Sequence, residues 1–171
     1  QDRLKEKALA RQLGAMTAEF AAINSQAELE AAVKVIGMPA VLKTTRMGYD
    51  GKGQAKIFSE DDVAHAWAVM KDAPSILESF VNFEREVSVI AARGLDGRMA
   101  AFFVTENEHR NHILHTSSVP ARVSGELAAE AVFIAQRFLE TLDYVGVMGV
   151  EFFLGEDVIF VNEIAPRVHN S

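Results

Sequence analysis

Three stretches of the chain carry apolar residues at helical spacing, and each one follows a residue that caps helices well. The first stretch follows Ser25, where Glu28 completes a capping box. The second follows Ser59 with Asp62 as a weaker partner, and the third and longest follows Ser124. Apolar positions recur every three or four residues in all of them, which is the period of an amphipathic helix. The pattern predicts helices that contain residues 29–36, 63–70 and 128–142.

Shorter apolar runs between and after these helices are typical of strands. They cover residues 40–44, 55–58, 75–80, 86–92, 99–105, 147–154 and 158–162. The last two runs predict a hairpin around Gly155–Asp157. The mixed order of helices and strands favours an α+β fold with two lobes. We expect a first lobe within residues 1–81, a second lobe over residues 82–171, and a junction near Phe80–Phe83.

The composition narrows the classes of function. Of 171 residues, 49% are apolar and 24% are charged, which is enough for a packed interior. The net charge of −7 disfavours a nucleic-acid partner, because that affinity depends on excess Lys and Arg. A small anion needs only a local positive site and stays open. The chain has no cysteine, which excludes a disulfide framework, a thiolate zinc site and a Cys nucleophile.

The sequence also indicates where in the cell the protein is expected. No apolar run reaches about 18 residues, so we predict no transmembrane helix and no membrane partner. No signal peptide is apparent, and the lack of cysteine agrees with a reducing cytoplasm, so we expect a cytoplasmic protein. The chain begins at Gln1 rather than Met and stops at Ser171, directly after a polar cluster. We therefore expect it to be a piece of a longer enzyme.

The segment Lys43–Gln54 is the first candidate site. It places three glycines, at positions 48, 51 and 53, beside Lys43, Arg46 and Lys52. Glycines let backbone N–H groups approach an anion closely, and the cations neutralise phosphate charge. The spacing is not that of a Walker A loop, because Lys52 is followed by Gly53 rather than by Ser or Thr. Taken alone, the segment is equally compatible with a flexible hairpin loop whose charges are solvated.

Glu86 is a second candidate. If its strand runs from Glu84, then Glu84, Glu86 and Ser88 share one face, while the intervening valines share the other. A carboxylate on an inward face needs a partner, and the hydroxyl pair of a ribose would serve. The alternative is a strand carboxylate that simply faces water.

Glu151 and Glu163 flank the last predicted hairpin. If Leu154 pairs with Val158, then Glu151 lies opposite Val161 and Glu163 is its diagonal neighbour on the same face. Such diagonal positions lie ~7–8 Å apart, so both side chains could reach one cation. Their like charges would otherwise repel each other, and carboxylate oxygens suit Mg²⁺. The alternative is a pair of solvent-facing carboxylates at a sheet edge.

The histidines and the polar end of the chain complete the candidates. His109, His112 and His115 repeat every three residues, but on a strand His112 would face away from the other two, which argues against zinc. One of them in contact with a ligand is the interpretation we favour. Arg167 and His169 follow the strand of Glu163 directly, and polar clusters beyond strand ends often contact substrates.

Taken in order, these segments resemble the ATP-grasp superfamily and, within it, the family of 5-(carboxyamino)imidazole ribonucleotide synthetases. The residues that carry the resemblance are Asp2–Lys7, Val41–Thr44, Gly48–Gln54, Glu78–Val81, Glu84, Glu86, Gly149–Glu151 and Asn162–Ser171. The resemblance implies two α+β lobes with the nucleotide between them, and it spans essentially the whole chain. The amino-terminal domain and the carboxy-terminal region of such enzymes, which help to hold the ribonucleotide, are absent from this sequence.

The resemblance also implies a role for each matching residue. Arg3 and Lys43 would contact ATP phosphates, Glu86 would take the ribose hydroxyls, and His109 would approach the nucleotide. The loop over the phosphates would be Gly48, Tyr49, Asp50, Gly51, Lys52, Gly53 and Gln54. The hinge segment Glu78, Ser79, Phe80 and Val81 would read the adenine edge. Glu151 and Glu163 would hold Mg²⁺, Asn162 would lie beside the phosphates, and Arg167 would orient bicarbonate.

The implied reaction carboxylates the amine of 5-aminoimidazole ribonucleotide with bicarbonate and ATP, by way of carboxyphosphate, in purine biosynthesis. Two alternatives stay open. One is another ATP-grasp ligase, such as a biotin carboxylase or a formate-using purine enzyme. The other is a catalytically silent nucleotide-binding module, against which the retained Lys43, Glu151 and Glu163 argue. A homodimer of the full enzyme also stays open.

Overall fold

The computed structural model describes residues 2–46, 53–110 and 113–171. The helices are α1 (Arg3–Gln12), α2 (Gln26–Ile36), α3 (Asp62–Met70) and α4 (Gly125–Thr141). The strands are β1 (Phe20–Ile23), β2 (Ala40–Thr44), β3 (Gln54–Ile57), β4 (Ser75–Ser79), β5 (Arg85–Arg93), β6 (Met99–Ala101), β7 (Thr105–Arg110), β8 (Ile113–Ser118), β9 (Gly146–Leu154) and β10 (Ile159–Ala165). The α+β class is confirmed. None of these helices is long and apolar enough to cross a membrane.

The chain divides into two compact units. The smaller unit holds residues 2–5 and 18–81, and the larger unit holds residues 6–17 and 82–171. Residues 6–17 belong to the larger unit because their contacts lie there. Lys7 Nζ donates to the Val161 carbonyl at 3.1 Å, Ala10 lies in the larger core, and Val161 N–H donates to the Met16 carbonyl at 2.8 Å.

The smaller unit is an antiparallel sheet with helices on one face. Its strand order is β1-β4-β2-β3, and α2 and α3 pack on the sheet. Leu42 and Leu77 point to the helices and join Leu29, Val33 and Trp67 in one core. Because strand side chains alternate, the opposite face carries Lys43 and Glu78.

Side-chain caps explain where the helices begin. Ser25 Oγ accepts from the Glu28 N–H at 3.2 Å, and the Glu28 carboxylate reaches back to Asn24 N–H at 2.8 Å. Ser124 Oγ likewise accepts from Leu127 N–H at 3.2 Å. These bonds satisfy backbone donors that have no partner inside the helix. The helix starts predicted at these two serines are confirmed.

The larger unit is built on a six-stranded sheet. Its order is β10-β9-β5-β7-β8, with β6 also paired to β5. The long helix α4 packs against β5 and β9. Val89 and Val150 face that helix and form a core with Phe138. The residues that alternate with them, which include Ser88 and Glu151, therefore lie on the face opposite α4.

One prediction about strands is corrected, and one strand was not predicted. The single strand predicted over residues 99–105 is two strands, because β6 pairs with Ala91–Arg93 and β7 pairs with Glu86–Ser88 of the same neighbour. The chain leaves the sheet between them. The sequence also gave no indication of β1, a four-residue strand whose place is set by its pairing with β4.

Candidate functional site

Lys43 and Glu78 form an ion pair on the helix-free face of the smaller sheet. Val41 pairs with Glu78 across β2 and β4, so Lys43 lies two residues further along the same face. Its Nζ lies 2.8 Å from Glu78 Oε2, and Glu78 is only 4% exposed. A carboxylate buried this deeply needs a cation or hydrogen bonds. The ammonium that the sequence assigns to phosphate therefore also holds Glu78 in place.

Only one end of the glycine-rich loop belongs to the described residues, and positions 48–52 lie outside them. Gly53 has φ +68°, and a Cβ there would lie 2.8 Å from Thr44 Oγ1, so this position requires glycine. The Gly53 carbonyl accepts from Thr44 N–H at 2.8 Å, and Gln54 pairs with Lys43. The described end of the loop is thus joined directly to the strand that carries Lys43.

The segment Glu78–Val81 is partly engaged within its own unit. Ser79 N–H donates to the Glu19 carbonyl at 2.8 Å, and Phe80 N–H donates to the Pro39 carbonyl at 3.1 Å. These two N–H groups are already hydrogen-bonded. Hydrogen bonds from this segment to an adenine base would therefore have to come from its other polar groups. Arg3 also belongs to this unit, where its N–H donates to the Thr45 carbonyl at 3.0 Å.

In the larger unit, strand register brings the other predicted carboxylates onto one face. Glu86 pairs with Phe153, and Ser88 pairs with Glu151. Glu151 in turn pairs with Glu163 on β10. Residues directly opposite each other in antiparallel strands point to the same side. Glu86, Glu151 and Glu163 therefore share the sheet face that α4 leaves uncovered.

The predicted register of the last hairpin is wrong, although its two glutamates do lie on one face. Ile159, not Val158, pairs with Leu154, and the register shifts between Val161 and Glu163. Asn162 is the extra residue of this irregularity. It brings Glu163 directly opposite Glu151 rather than diagonal to it, which shortens the expected separation of the two Cα atoms.

Both oxygens of Glu151 receive N–H groups. His169 Nε2 lies 3.0 Å from Glu151 Oε1, and Asn162 Nδ2 donates to Oε2 at 3.5 Å. Within the described residues, no group of three or more His, Asp or Glu side chains is arranged to hold a metal ion by itself. Two facing carboxylates nevertheless fit Mg²⁺, which commonly takes one or two carboxylates together with waters and substrate phosphates. Glu151 and Glu163 are the residues that would hold it.

Glu86 and His109 form a second side-chain pair, in contact between Glu86 Oε2 and His109 Nδ1. Both residues line a polar cavity of about 390 Å³. The same cavity is lined by Glu106, whose pKa is lowered from 4.5, chiefly by a hydrogen bond from Arg122. The volume is within the range of small-ligand sites. A larger cavity of about 640 Å³ lies between β6 and α4 and holds none of the predicted site residues.

Phe83 and Phe153 were not among the predicted site residues. Their rings stack with centroids 4.4 Å apart and an interplanar angle of 8°. Phe153 is the cross-strand partner of Glu86, so the stack lies beside that carboxylate. Such a flat apolar surface next to a polar cavity suits a planar ring system. Because side chains alternate along β9, the sequence could have predicted that Phe153 shares a face with Glu151. It could not have predicted the stacking on Phe83, which depends on the tertiary fold.

A connected set of hydrogen bonds also escaped the sequence interpretation. Ser88 Oγ lies 2.6 Å from Ser171 Oγ and accepts from Asn107 Nδ2 at 2.9 Å. Ser171 Oγ lies 2.7 Å from Nδ1 of His169, the residue that contacts Glu151. The polar cluster after β10 was a visible signal for His169, whereas nothing local marks Ser88 or Asn107. Arg167 of the same cluster is exposed, and its Nη1 donates to the Val168 carbonyl at 3.0 Å.

Residues 8–171 match the ATP-grasp domain family, and the chain belongs to that family. It is 47% identical to an N5-carboxyaminoimidazole ribonucleotide synthase of Brucella melitensis, over 100% of this chain and 48% of that protein. The chain thus spans about half the length of the curated relatives it matches.

Two solved structures extend the similarity to the fold. One is an ADP complex of N5-carboxyaminoimidazole ribonucleotide synthetase, with 43% identity and a TM-score of 0.94 over 99% of this chain and 45% of that one. The other is the Aspergillus clavatus synthase with ADP and 5-aminoimidazole ribonucleotide, with 32% identity and a TM-score of 0.90 over 99% and 45% of the two chains. The ATP-grasp fold expected from the sequence is confirmed.

Proposed function

We propose that this chain is the ATP-binding core of an ATP-dependent ligase that carboxylates 5-aminoimidazole ribonucleotide. The observation that carries the proposal is Glu151 directly opposite Glu163 on the sheet face that α4 does not cover, with His169 and Asn162 on the carboxylate of Glu151. The similarity to synthetases whose structures contain ADP and 5-aminoimidazole ribonucleotide supports the choice of substrates. A cytoplasmic location, consistent with the lack of cysteine, is part of the proposal.

The reaction we propose has two steps. A bicarbonate oxygen attacks the γ-phosphorus of ATP, the bond from that phosphorus to the bridging oxygen breaks, and ADP leaves as carboxyphosphate forms. The amine of the ribonucleotide then attacks the carboxyl carbon, the bond from that carbon to the phosphate oxygen breaks, and inorganic phosphate leaves while the amine loses one proton to phosphate or solvent. Positioning and charge neutralisation supply most of the catalysis in such phosphoryl transfers.

Each described residue of the site has a task that its surroundings support. Lys43 supplies a cation to the phosphates, and Glu86 beside the Phe83–Phe153 stack accepts the ribose hydroxyls while the base lies near the rings. Glu151 and Glu163 would hold the metal. Bound Mg²⁺ would neutralise the negative charge of the transferring phosphate.

Arg167 is exposed on the loop that follows β10, four residues after Glu163. In our proposal its guanidinium orients bicarbonate, because a planar fork of donors matches a planar anion with two oxygens. Its present bond to the Val168 carbonyl leaves other guanidinium donors for that role.

Calorimetry and turnover test the proposal in the natural protein that contains this sequence. ATP affinity should rise with Mg²⁺, and Glu163→Gln should remove that rise. Lys43→Ala should weaken ATP binding with and without metal. Glu130→Gln is the matched control, because Glu130 is exposed on α4 and loses the same charge. An unchanged affinity in both site variants would contradict the assignment of the nucleotide site.

Turnover separates the ligase from its alternatives. Phosphate release with ATP and bicarbonate should increase when 5-aminoimidazole ribonucleotide is added, because the amine captures carboxyphosphate. If biotin or formate stimulates phosphate release and the ribonucleotide does not, the purine assignment is wrong. If no acceptor stimulates it while ATP still binds, the chain belongs to a silent nucleotide-binding module.

A further inference from the structure

The tautomer of His169 follows from its hydrogen bonds. The backbone N–H of Ser171 donates to His169 Nδ1 at 3.3 Å. A backbone N–H can only donate, so this contact favours Nδ1 as the acceptor nitrogen, with its single in-plane lone pair shared between this N–H and the Ser171 hydroxyl at 2.7 Å. A carboxylate can only accept, and Glu151 Oε1 lies 3.0 Å from Nε2, so Nε2 is the ring nitrogen that carries a proton toward it. His169 therefore presents an N–H to the carboxylate of Glu151.

The same logic gives a direction to the bonds behind His169. Because Nδ1 is an acceptor, the Ser171 hydroxyl at 2.7 Å donates to it. Ser171 Oγ then accepts from the Ser88 hydroxyl at 2.6 Å, and Ser88 Oγ accepts from Asn107 Nδ2 at 2.9 Å. Every hydrogen bond in this series, which we call the Asn107–Glu151 relay, donates toward the carboxylate. Bonds aligned in one direction polarise and strengthen one another.

The relay is held by packing as well as by hydrogen bonds. Ser88 is 0% exposed, and Asn107 Oδ1 accepts from the Ser117 hydroxyl at 3.0 Å, which fixes the orientation of the amide. The His169 ring lies on Gly149, where an added Cβ would come within 2.8 Å of His169 Cγ. The ring therefore has little room to turn away from Glu151.

We propose that the Asn107–Glu151 relay positions the Glu151 carboxylate for metal binding, with His169 donating its Nε2–H. His169 and Ser88 are thus positioning residues, which act on the metal only through Glu151. The proposal rests on the proposed function, since it takes Glu151 to be a metal ligand. Residues that orient metal ligands typically contribute about 10–100-fold to metal affinity.

Two measurements on the natural protein that contains this chain test the relay. The first is long-range ¹H–¹⁵N correlation of the imidazole rings without metal. Wild-type His169 should be protonated at Nε2 and bare at Nδ1, and Ser88→Ala should shift it toward a mixture of tautomers. A wild-type ring protonated at Nδ1 would overturn the proposal.

The second measurement is Mn²⁺ binding in the presence of ADP, followed by electron paramagnetic resonance. His169→Ala should weaken Mn²⁺ binding by about 10–100-fold, and Ser88→Ala by roughly two- to tenfold. His169→Gln should recover much of the loss, because its amide N–H can replace the Nε2–H. Ser75→Ala is the matched control: Ser75 is also buried, at 1% exposure, and its hydroxyl bonds the Ala73 carbonyl outside the relay.

The outcomes separate the relay from the proposed function. If Glu163→Gln abolishes Mn²⁺ binding while His169→Ala leaves it unchanged, the relay is refuted and the proposed metal site stands. If Ser75→Ala weakens binding as much as Ser88→Ala, the effect is a general loss of stability and the relay is likewise refuted. A wild-type protein that binds no Mn²⁺ with ADP would overturn both.

Discussion

At the scale of single residues, the charged groups of the site are held by specific partners rather than by solvent. Glu78 is almost fully buried beside Lys43, and Glu151 receives N–H groups from His169 and Asn162. Burying a charge is costly unless it is paired and hydrogen-bonded. Residues proposed to bind ligands in this chain therefore also support their own local structure, and their substitution affects both.

Lys43→Met tests this double role in the smaller unit. Removing the ammonium takes away a partner of a buried carboxylate, so we expect the free energy of unfolding to fall by about 3 kcal/mol in urea titration. The double variant Lys43→Met, Glu78→Gln should recover part of the loss, because it removes the buried charge as well. Lys56→Met on the exposed side of β3 should change stability by less than about 0.5 kcal/mol. Equal losses for Lys43→Met and Lys56→Met would contradict the pairing argument.

Gly149→Ala tests the packing of the His169 ring on Gly149 in the larger unit. The new Cβ would lie 2.8–3.0 Å from three atoms of His169, so the imidazole must move. We expect a loss of about 1–3 kcal/mol of stability, as for other insertions into packed positions, and a changed His169 ring signal in NMR. Gly125→Ala is the control, because a Cβ at that helix start meets no atom within 4 Å. A His169 signal that Gly149→Ala leaves unchanged would count against the packing argument.

At the scale of elements, local signals predicted α2, α3 and α4, and a tertiary irregularity decided the pairing of Glu151 with Glu163. Ser25 and Ser124 mark helix starts because caps act within one turn, so the sequence alone carries that information. The pairing of Glu151 with Glu163 depends on the extra residue Asn162 in β10, and no local pattern announces it. The chain likewise forms β6 and β7 in place of one strand because the two segments pair with different parts of β5. Local sequence does not show where on β5 each segment pairs.

The start of α3 gives a pH prediction at this scale. The Asp62 carboxylate accepts from Phe58 N–H at 2.8 Å and from Ser59 N–H at 2.9 Å, and these bonds lower the pKa of Asp62 from 3.8. A lowered folded-state pKa means that the stabilisation is present above the unfolded value and is lost as the pH falls through the folded one. The stability difference between wild type and Asp62→Ala should therefore be constant near neutral pH and shrink below pH 3.8.

Urea unfolding across that pH range checks the expectation. Asp61→Ala is the control, since Asp61 precedes the helix and its side chain makes no capping bond. Its effect on the free energy of unfolding should be smaller than that of Asp62→Ala near neutral pH. If the two variants lose the same stability with the same pH dependence, the capping role of Asp62 is wrong.

At the scale of the whole molecule, the net charge of −7 and the anionic ligand oppose each other. In the proposed function, a metal held by Glu151 and Glu163 would offset that conflict locally, and the sequence leaves a small anion open because such a ligand needs only a local positive site. The family and the carboxylates were predictable because their motifs are contiguous. The relay through Ser88 and Asn107 was not, because its members lie on three strands and a terminal loop and meet only in the fold.

The increase in the free energy of unfolding that ATP produces tests whether Glu151 and Glu163 act on the phosphates through a metal ion. A ligand that binds only the folded protein stabilises it by mass action, by about 2.7 kcal/mol at one hundred times its dissociation constant. If the carboxylates act on phosphate through a metal, Mg²⁺ should increase the stabilisation produced by a fixed concentration of ATP. Adenosine has the same base and ribose but no phosphates, so Mg²⁺ should not change its effect. Urea unfolding of wild type and Glu163→Gln with each ligand makes the comparison. A Mg²⁺ increment that is the same for adenosine and ATP, or that survives in Glu163→Gln, would show that the metal acts elsewhere than at Glu151 and Glu163.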